Sequence, residues 1–157
     1  MDSWLYRLLP FLRWFPMSRV GLRADLVVKL LTEEAPDVLC LQECKSPVEK
    51  MPLDAFAALG YPHCVARGQK GYNGVAILSK LPITEVGAAD YASLGHARHI
   101  AGRLDNGVTI HNFYVPAGGD KPDREINEKR FAIESEALGV IAMQQPVAID
   151  LRMLAAV

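Results

Sequence analysis

The stretch DVLCLQECKS, residues 37–46, decides how the chain is read. Val38-Leu39-Cys40-Leu41 is an uninterrupted apolar run, too short for a helix, and it stops at Gln42-Glu43. Such a run reads as a buried strand. A buried strand that ends on a carboxylate carries that group on a rigid element to the point where the chain meets solvent. This placement suits a ligand for a hard cation such as Mg2+. Read alone, Glu43 is more often a solvated or salt-bridged strand-end residue, with Lys45 as its ion-pair partner.

Working outward, Leu22, Leu26, Val27, Leu30 and Leu31 recur at helical spacing, and Pro36 marks the stop. Pro52 and Gly60 bracket a short helix, LDAFAAL, in the Pro-first, Gly-last sense. HCVAR (63–67) and VAILS (75–79) read as strands on either side of the glycine-rich turn GQKGYNG (68–74). HIAGRLDNGVTIHNFYVP (99–116) reads as a hairpin, with Asn106-Gly107 as a type I′ turn. A polar loop follows, then a helix-like stretch, RFAIESEALGVIAM (130–143). Helix, strand and helix followed by a run of strands predict one α/β layered domain with a largely antiparallel sheet portion.

With 157 residues, half of them hydrophobic and 22% charged, the chain has the composition of a globular domain. A net charge of −1 excludes a strongly basic tail but not a local basic surface. The 3 cysteines, Cys40, Cys44 and Cys64, show no framework spacing, which points to a reduced, cytoplasmic setting. Residues 1–16, MDSWLYRLLPFLRWFP, are apolar and aromatic but interrupted by Arg7, Pro10 and Arg13. No apolar run approaches the roughly 20 residues of a membrane span, and no signal-peptide cleavage pattern is present. A buried terminal segment is the preferred reading there, with an interfacial helix as the alternative.

Several residues have the chemistry of a phosphate site. GQKGYNG can cradle a phosphate through backbone N–H groups, with Lys70 adding charge, although it matches neither the P-loop nor the dinucleotide fingerprint. It also serves as an ordinary connection between strands. Asn112 and Tyr114 stand at the end of the second hairpin strand, where a tyrosine can offer its hydroxyl to a phosphate or simply fill a β position. His96, Arg98 and His99 can contact a phosphate backbone or form a solvated polar cluster. No paired CxxC spacing supports zinc, and no serine-hydrolase or HExxH motif occurs.

In combination these pieces are specific. LRADLVVKLLTEEAPDVLCLQECKSP, LGYPHCVARGQKGYNGVAILSK and NFYVPAGGD, in this order and spacing over about residues 22–129, resemble bacterial exonuclease III. That enzyme is the Mg2+-dependent apurinic/apyrimidinic endonuclease type of the endonuclease/exonuclease/phosphatase superfamily. The resemblance implies that Glu43 is a metal-ligand carboxylate for Mg2+ (or Mn2+) and that Tyr114 is the active-site tyrosine beside the scissile phosphate. It implies that Tyr72 and Asn73, with Lys70, lie beside the DNA backbone, and that Arg98 contacts DNA. The implied partner is double-stranded DNA containing abasic sites.

The likeness is incomplete at both ends. The family opens with a strand carrying a metal-site Asn, whereas residues 1–21 contain no Asn. The family's later "GDLN" and "SDH" motifs are not present, and PVAIDLRM echoes the first only through Asp150. The expected organisation is an atypical segment 1–21, an exonuclease III-like half domain 22–129 and a divergent segment 130–157. The expected fold is therefore a partial four-layer α/β sandwich lacking its first strand and its C-terminal half. The expected function is that of a DNA-repair phosphodiesterase, this chain being a fragment with impaired or no activity. The alternative is a non-enzymatic DNA-binding module, or one that joins another chain to complete the fold.

Overall fold

The computed structural model describes residues 12–16, 24–90, 93–114 and 147–149. Strand β1 (Leu12–Pro16), helix α1 (Ala24–Glu34), strand β2 (Val38–Gln42), a 3-10 turn (Val48–Lys50) and helix α2 (Leu53–Ala58) come first. They lead into β3 (His63–Arg67), β4 (Val75–Ser79), β5 (Ile83–Gly87), β6 (His99–Leu104), β7 (Thr109–Phe113) and β8 (Val147–Ile149). The strands form two four-stranded sheets in the orders β1-β2-β4-β3 and β5-β6-β7-β8. The inner pairings are antiparallel, while β1 joins β2 and β8 joins β7 in parallel.

The continuous apolar character of VLCL follows from burial of β2 on both faces. Leu39 and Leu41 of β2, with Ala76 and Leu78 of β4, pack under the helices against Val27, Leu31 and Phe56. The alternate residues Val38, Cys40, Val75 and Ile77 face the second sheet and meet Ile100, Leu104 and Ile110. Two strands that each serve two cores lock the sheets together, so their ends become fixed points on which a site can be built. Among the described residues no helix is long and apolar enough to cross a membrane.

The α/β sandwich expectation holds, with three corrections of detail. The first strand is present: Leu12–Pro16 runs in parallel register with Val38–Gln42. A missing Asn removes a motif, but Trp14 and Phe15 are strand formers, and Pro16, without an N–H, is tolerated at a strand end. The hairpin turn is not type I′, since only Gly107 has positive φ, at 87°. Gly107 N–H donates to Leu104 O and Leu104 N–H to Val108 O. This is a type I turn closed by a left-handed glycine bulge. Finally, β5 gives little sequence signal because all of it beyond Ile83 is exposed. The helix expected over 130–143 lies outside the described residues.

On the other face of the second sheet, His99 Nε2 lies 3.1 Å from His111 Nδ1, and the His99 ring stacks at 4.4 Å on Phe113. The Ala89 N–H donates to His99 Nδ1 at 3.1 Å, which fixes His99 as the Nε2–H tautomer. Burial, then the neighbouring His111 and Arg67, push the His99 pKa down to about 3. The unfolded imidazole titrates near 6.5, so below that pH the unfolded chain binds the additional proton. The stabilising contribution is complete above about pH 6.5 and is lost as pH falls toward 3. Unfolding free energy is therefore expected to drop by about 2 kcal/mol between pH 7 and pH 5 from this group. Urea melts at the two pH values, with His99→Gln removing most of the difference, check it.

Candidate active site at the ends of β2 and β7

Three loops meet beyond the ends of these strands: residues 43–46 after β2, 68–74 between β3 and β4, and 95–98 before β6. Backbone hydrogen bonds zip the first two together, from Cys44 N–H to Gly74 O (3.1 Å), Lys45 N–H to Asn73 O (2.8 Å) and Gly71 N–H to Lys45 O (3.2 Å). The third is tied in by Gly74 N–H to Ala97 O and by the Gln69 side chain, whose Oε1 accepts from Ala97 N–H and from Asn73 Nδ2. Glu43, Lys45 and Asn73 all have positive φ, at 55°, 49° and 53°. Three non-glycine residues in this costly region, gathered at one place, mark a site whose geometry is imposed by its surroundings.

Here the Tyr114 hydroxyl donates to Glu43 Oε1. Lys45 Nζ lies 3.6 Å from the same oxygen, with both side chains partly exposed. The Arg98 guanidinium sits 4.7 Å over the Tyr114 ring, and Tyr114 N–H donates to Arg98 O at 2.7 Å. Burial, then the hydrogen bond to Glu43 and its charge, raise the Tyr114 pKa well above 10, against the opposing pull of Arg98. Tyr114 is therefore a neutral donor at ordinary pH. Burial likewise lowers the Arg98 pKa, and its Nη1 is buried with no hydrogen-bond partner among the described residues. A cation with an unused donor, beside a carboxylate and a phenol, has the chemistry to receive an anionic ligand.

The structure thus brings Glu43, Tyr114 and Arg98 into one cluster. Tyr72 stands on the adjoining rim, 55% exposed, with its ring edge-on to His96 at 6.1 Å. Lys70 is exposed on the same loop. Asn73 differs: it is 3% exposed and its side chain is used to hold the loop through Gln69. Asp150 lies outside the described residues. Glu43 offers the hard oxygen that Mg2+ prefers, and Mg2+ sites commonly need only one or two carboxylates, the rest being water and substrate phosphate. Among the described residues no group of three or more His, Cys, Asp or Glu is placed to hold a metal.

Sequence reasoning did not single out Gln42 or Gln69. Gln42 and Asn112 are fully buried amides that bridge the two sheets directly behind Glu43 and Tyr114. The available signal was a polar residue closing an otherwise apolar strand.

Comparison with known proteins gives the same picture. The endonuclease/exonuclease/phosphatase family model matches residues 15–148. Recombination repair protein 1 of Drosophila melanogaster is 35% identical over 108 residues, covering 64% of this chain and 16% of that protein. The 3′ phosphatase NExo from Neisseria, solved with a product DNA hairpin, superposes with a TM-score of 0.71 at 31% identity, covering 87% of this chain and 54% of that one. An AP endonuclease from Archaeoglobus fulgidus gives a TM-score of 0.71 at 28% identity, covering 89% and 52%. The chain spans about half the length of these solved structures. Its fold and the matched residues agree: the chain belongs to the endonuclease/exonuclease/phosphatase family.

Proposed function

We propose that this chain supplies the Glu43–Tyr114–Arg98 part of the site of a DNA-repair phosphodiesterase, acting on duplex DNA that contains abasic sites. The observation that carries this reading is the cluster itself, a carboxylate, a neutral phenol and an arginine with an unused buried donor. Glu43 is the residue that would hold Mg2+ or Mn2+. When bound, the ion would neutralise charge developing on the phosphoryl oxygens. Tyr114 orients Glu43 and presents its hydroxyl beside the phosphate. Arg98 Nη1 donates to a phosphate oxygen. Tyr72 and Lys70 on the rim meet the DNA backbone, where such contacts position the duplex without reading its sequence. An abasic nucleotide lacks the stacking that resists displacement, which favours it over intact DNA. Three free cysteines suit a reducing, cytoplasmic setting.

A second reading, a DNA-binding or fragment-complementing module, is favoured by the absence, among the described residues, of any group of three or more His, Cys, Asp or Glu placed to hold a metal. Incision and retention of a duplex with one abasic site, with Mg2+ and with EDTA, separate the two. Incision by the full chain is expected to be weak and to vanish with EDTA and in Glu43→Ala, while Arg98→Ala loses duplex binding. Incision that survives Glu43→Ala would refute the metal-ligand role. Silence of both proteins with selective retention of the abasic duplex would favour the module, and loss of both readouts would exclude either reading.

A further inference from the structure

Glu43 and Tyr114 belong to different sheets, yet their contact demands registration to a fraction of an ångström. Apolar packing between the sheets is non-directional and does not by itself supply it. Directly behind the two residues lies a directional connection. Gln42 Nε2 donates to Asn112 Oδ1 (3.0 Å) and to Phe113 O (2.6 Å). Asn112 Nδ2 donates to Leu41 O and to Ala76 O, both at 2.9 Å. Gln42 and Phe113 immediately precede Glu43 and Tyr114, so the bonds donated by Gln42 hold the chain at the last residue before each functional group, and those from Asn112 tie β7 to β2 and β4 one step further back.

We propose that Gln42 and Asn112 are positioning residues: their amide pair sets the spacing and orientation of Glu43 against Tyr114. Stability alone does not explain a glutamine here. Its Nε2 faces two acceptors, so its Oε1 must point away, and that oxygen is fully buried with no hydrogen-bond partner among the described residues. A buried orphan acceptor is destabilising, and an apolar residue of the same volume avoids it. The amide is therefore retained at a cost that only its two donated bonds offset. Those bonds end on Asn112 and on the backbone next to Tyr114. Partners behind a metal ligand act in this way, by orienting it, and their loss typically weakens metal binding by about 10–100-fold.

The test uses the full chain and Gln42→Met, which keeps the volume and removes both donors. The Glu43 carboxyl 13C resonance and the Tyr114 ring proton resonances report the contact without metal or DNA. A core variant far from the clamp, Leu104→Ala, supplies a destabilised control. Gln42→Met is expected to shift both sets of resonances and to weaken Mg2+ binding by about tenfold, with a melting midpoint no lower than that of the control. The double variant Gln42→Met/Asn112→Leu, which removes both amides together, is expected to do the same and serves if the single variant folds poorly. Unchanged resonances, or changes matched by the control, overturn the proposal. The metal arm alone rests on Glu43 as a ligand. If wild type binds no Mg2+ while the resonances still shift, the clamp stands and the metal-ligand reading falls.

Discussion

Glu43→Gln is expected to weaken Mg2+ binding by well over tenfold while changing the unfolding free energy by less than about 1 kcal/mol. The first half follows from charge. A divalent ion about 2.1 Å from a carboxylate gains about 4 kcal/mol even at the dielectric constant of water, and tenfold in affinity is about 1.4 kcal/mol. The second half follows from what glutamine preserves. Its Oε1 still accepts from Tyr114, whose hydroxyl is the donor. The positive φ of residue 43 is as costly for glutamine as for glutamate, so backbone strain is unchanged. The ion pair to Lys45 is lost, and pairs with this much exposure contribute at most about 1 kcal/mol. The attraction between Glu43 and Arg98, the smallest of the influences on that guanidinium, goes with it. Calorimetric Mg2+ titration and a urea melt of each protein read the two quantities separately. A loss of several kcal/mol of stability would mean that Glu43 holds the fold together, and unchanged Mg2+ affinity would remove it from the metal site.

That separation between site and fold also explains what was legible beforehand. β2, β4 and the flanking helices were readable because each side of their strands faces its own apolar core, and long apolar runs bounded by Pro and Gly leave few alternatives. The strand-end positions of Glu43 and Tyr114 are legible for a related reason, since each stands where a buried strand runs out. β5 was not, because a strand exposed over most of its length has no burial pattern to betray it. β1 is hidden because residues 1–21 lack the Asn that marks the family's first strand, whereas the strand depends only on backbone pairing with Val38–Gln42. The class of the turn at 105–107 is not legible in the sequence, because Asn-Gly serves both a type I′ turn and the end of a type I turn with a bulge. The choice is made by strand register, which is a non-local property. Gln42, and the structural use of Asn112, are hidden for the same reason: the hydrogen bonds between them and to Phe113 O and Leu41 O join residues 70 or 71 apart in sequence.

The loops that carry Glu43 depend on a different feature, and Gly68→Ala is expected to destabilise the fold by about 3 kcal/mol. A Cβ at Gly68 would lie 2.5 Å from Val48 N, 2.7 Å from Ser46 O and 2.9 Å from Pro47 C. All three are backbone atoms, so no side-chain rotation relieves the clash, and the 46–48 segment must move away from residue 68. Gln69 N–H donates to Ser46 O next to this contact, and Gly71 N–H donates to Lys45 O beyond it. Separating the segments therefore strains the bonds that seat Glu43, and Mg2+ binding should fall with stability. Gly71→Ala is the informative comparison. Gly71 has a φ of +85° but nothing within 4 Å of its missing Cβ, so its cost is conformational only, about 1–2 kcal/mol. A residue with an ordinary φ is thus expected to be the less replaceable of the two, because close backbone approach outweighs torsional preference here. Urea melts of the two variants decide the order. A Gly71→Ala loss exceeding that of Gly68→Ala would mean that the 46–48 and 68–69 segments are not in contact, and the account of how Glu43 is held would have to be abandoned.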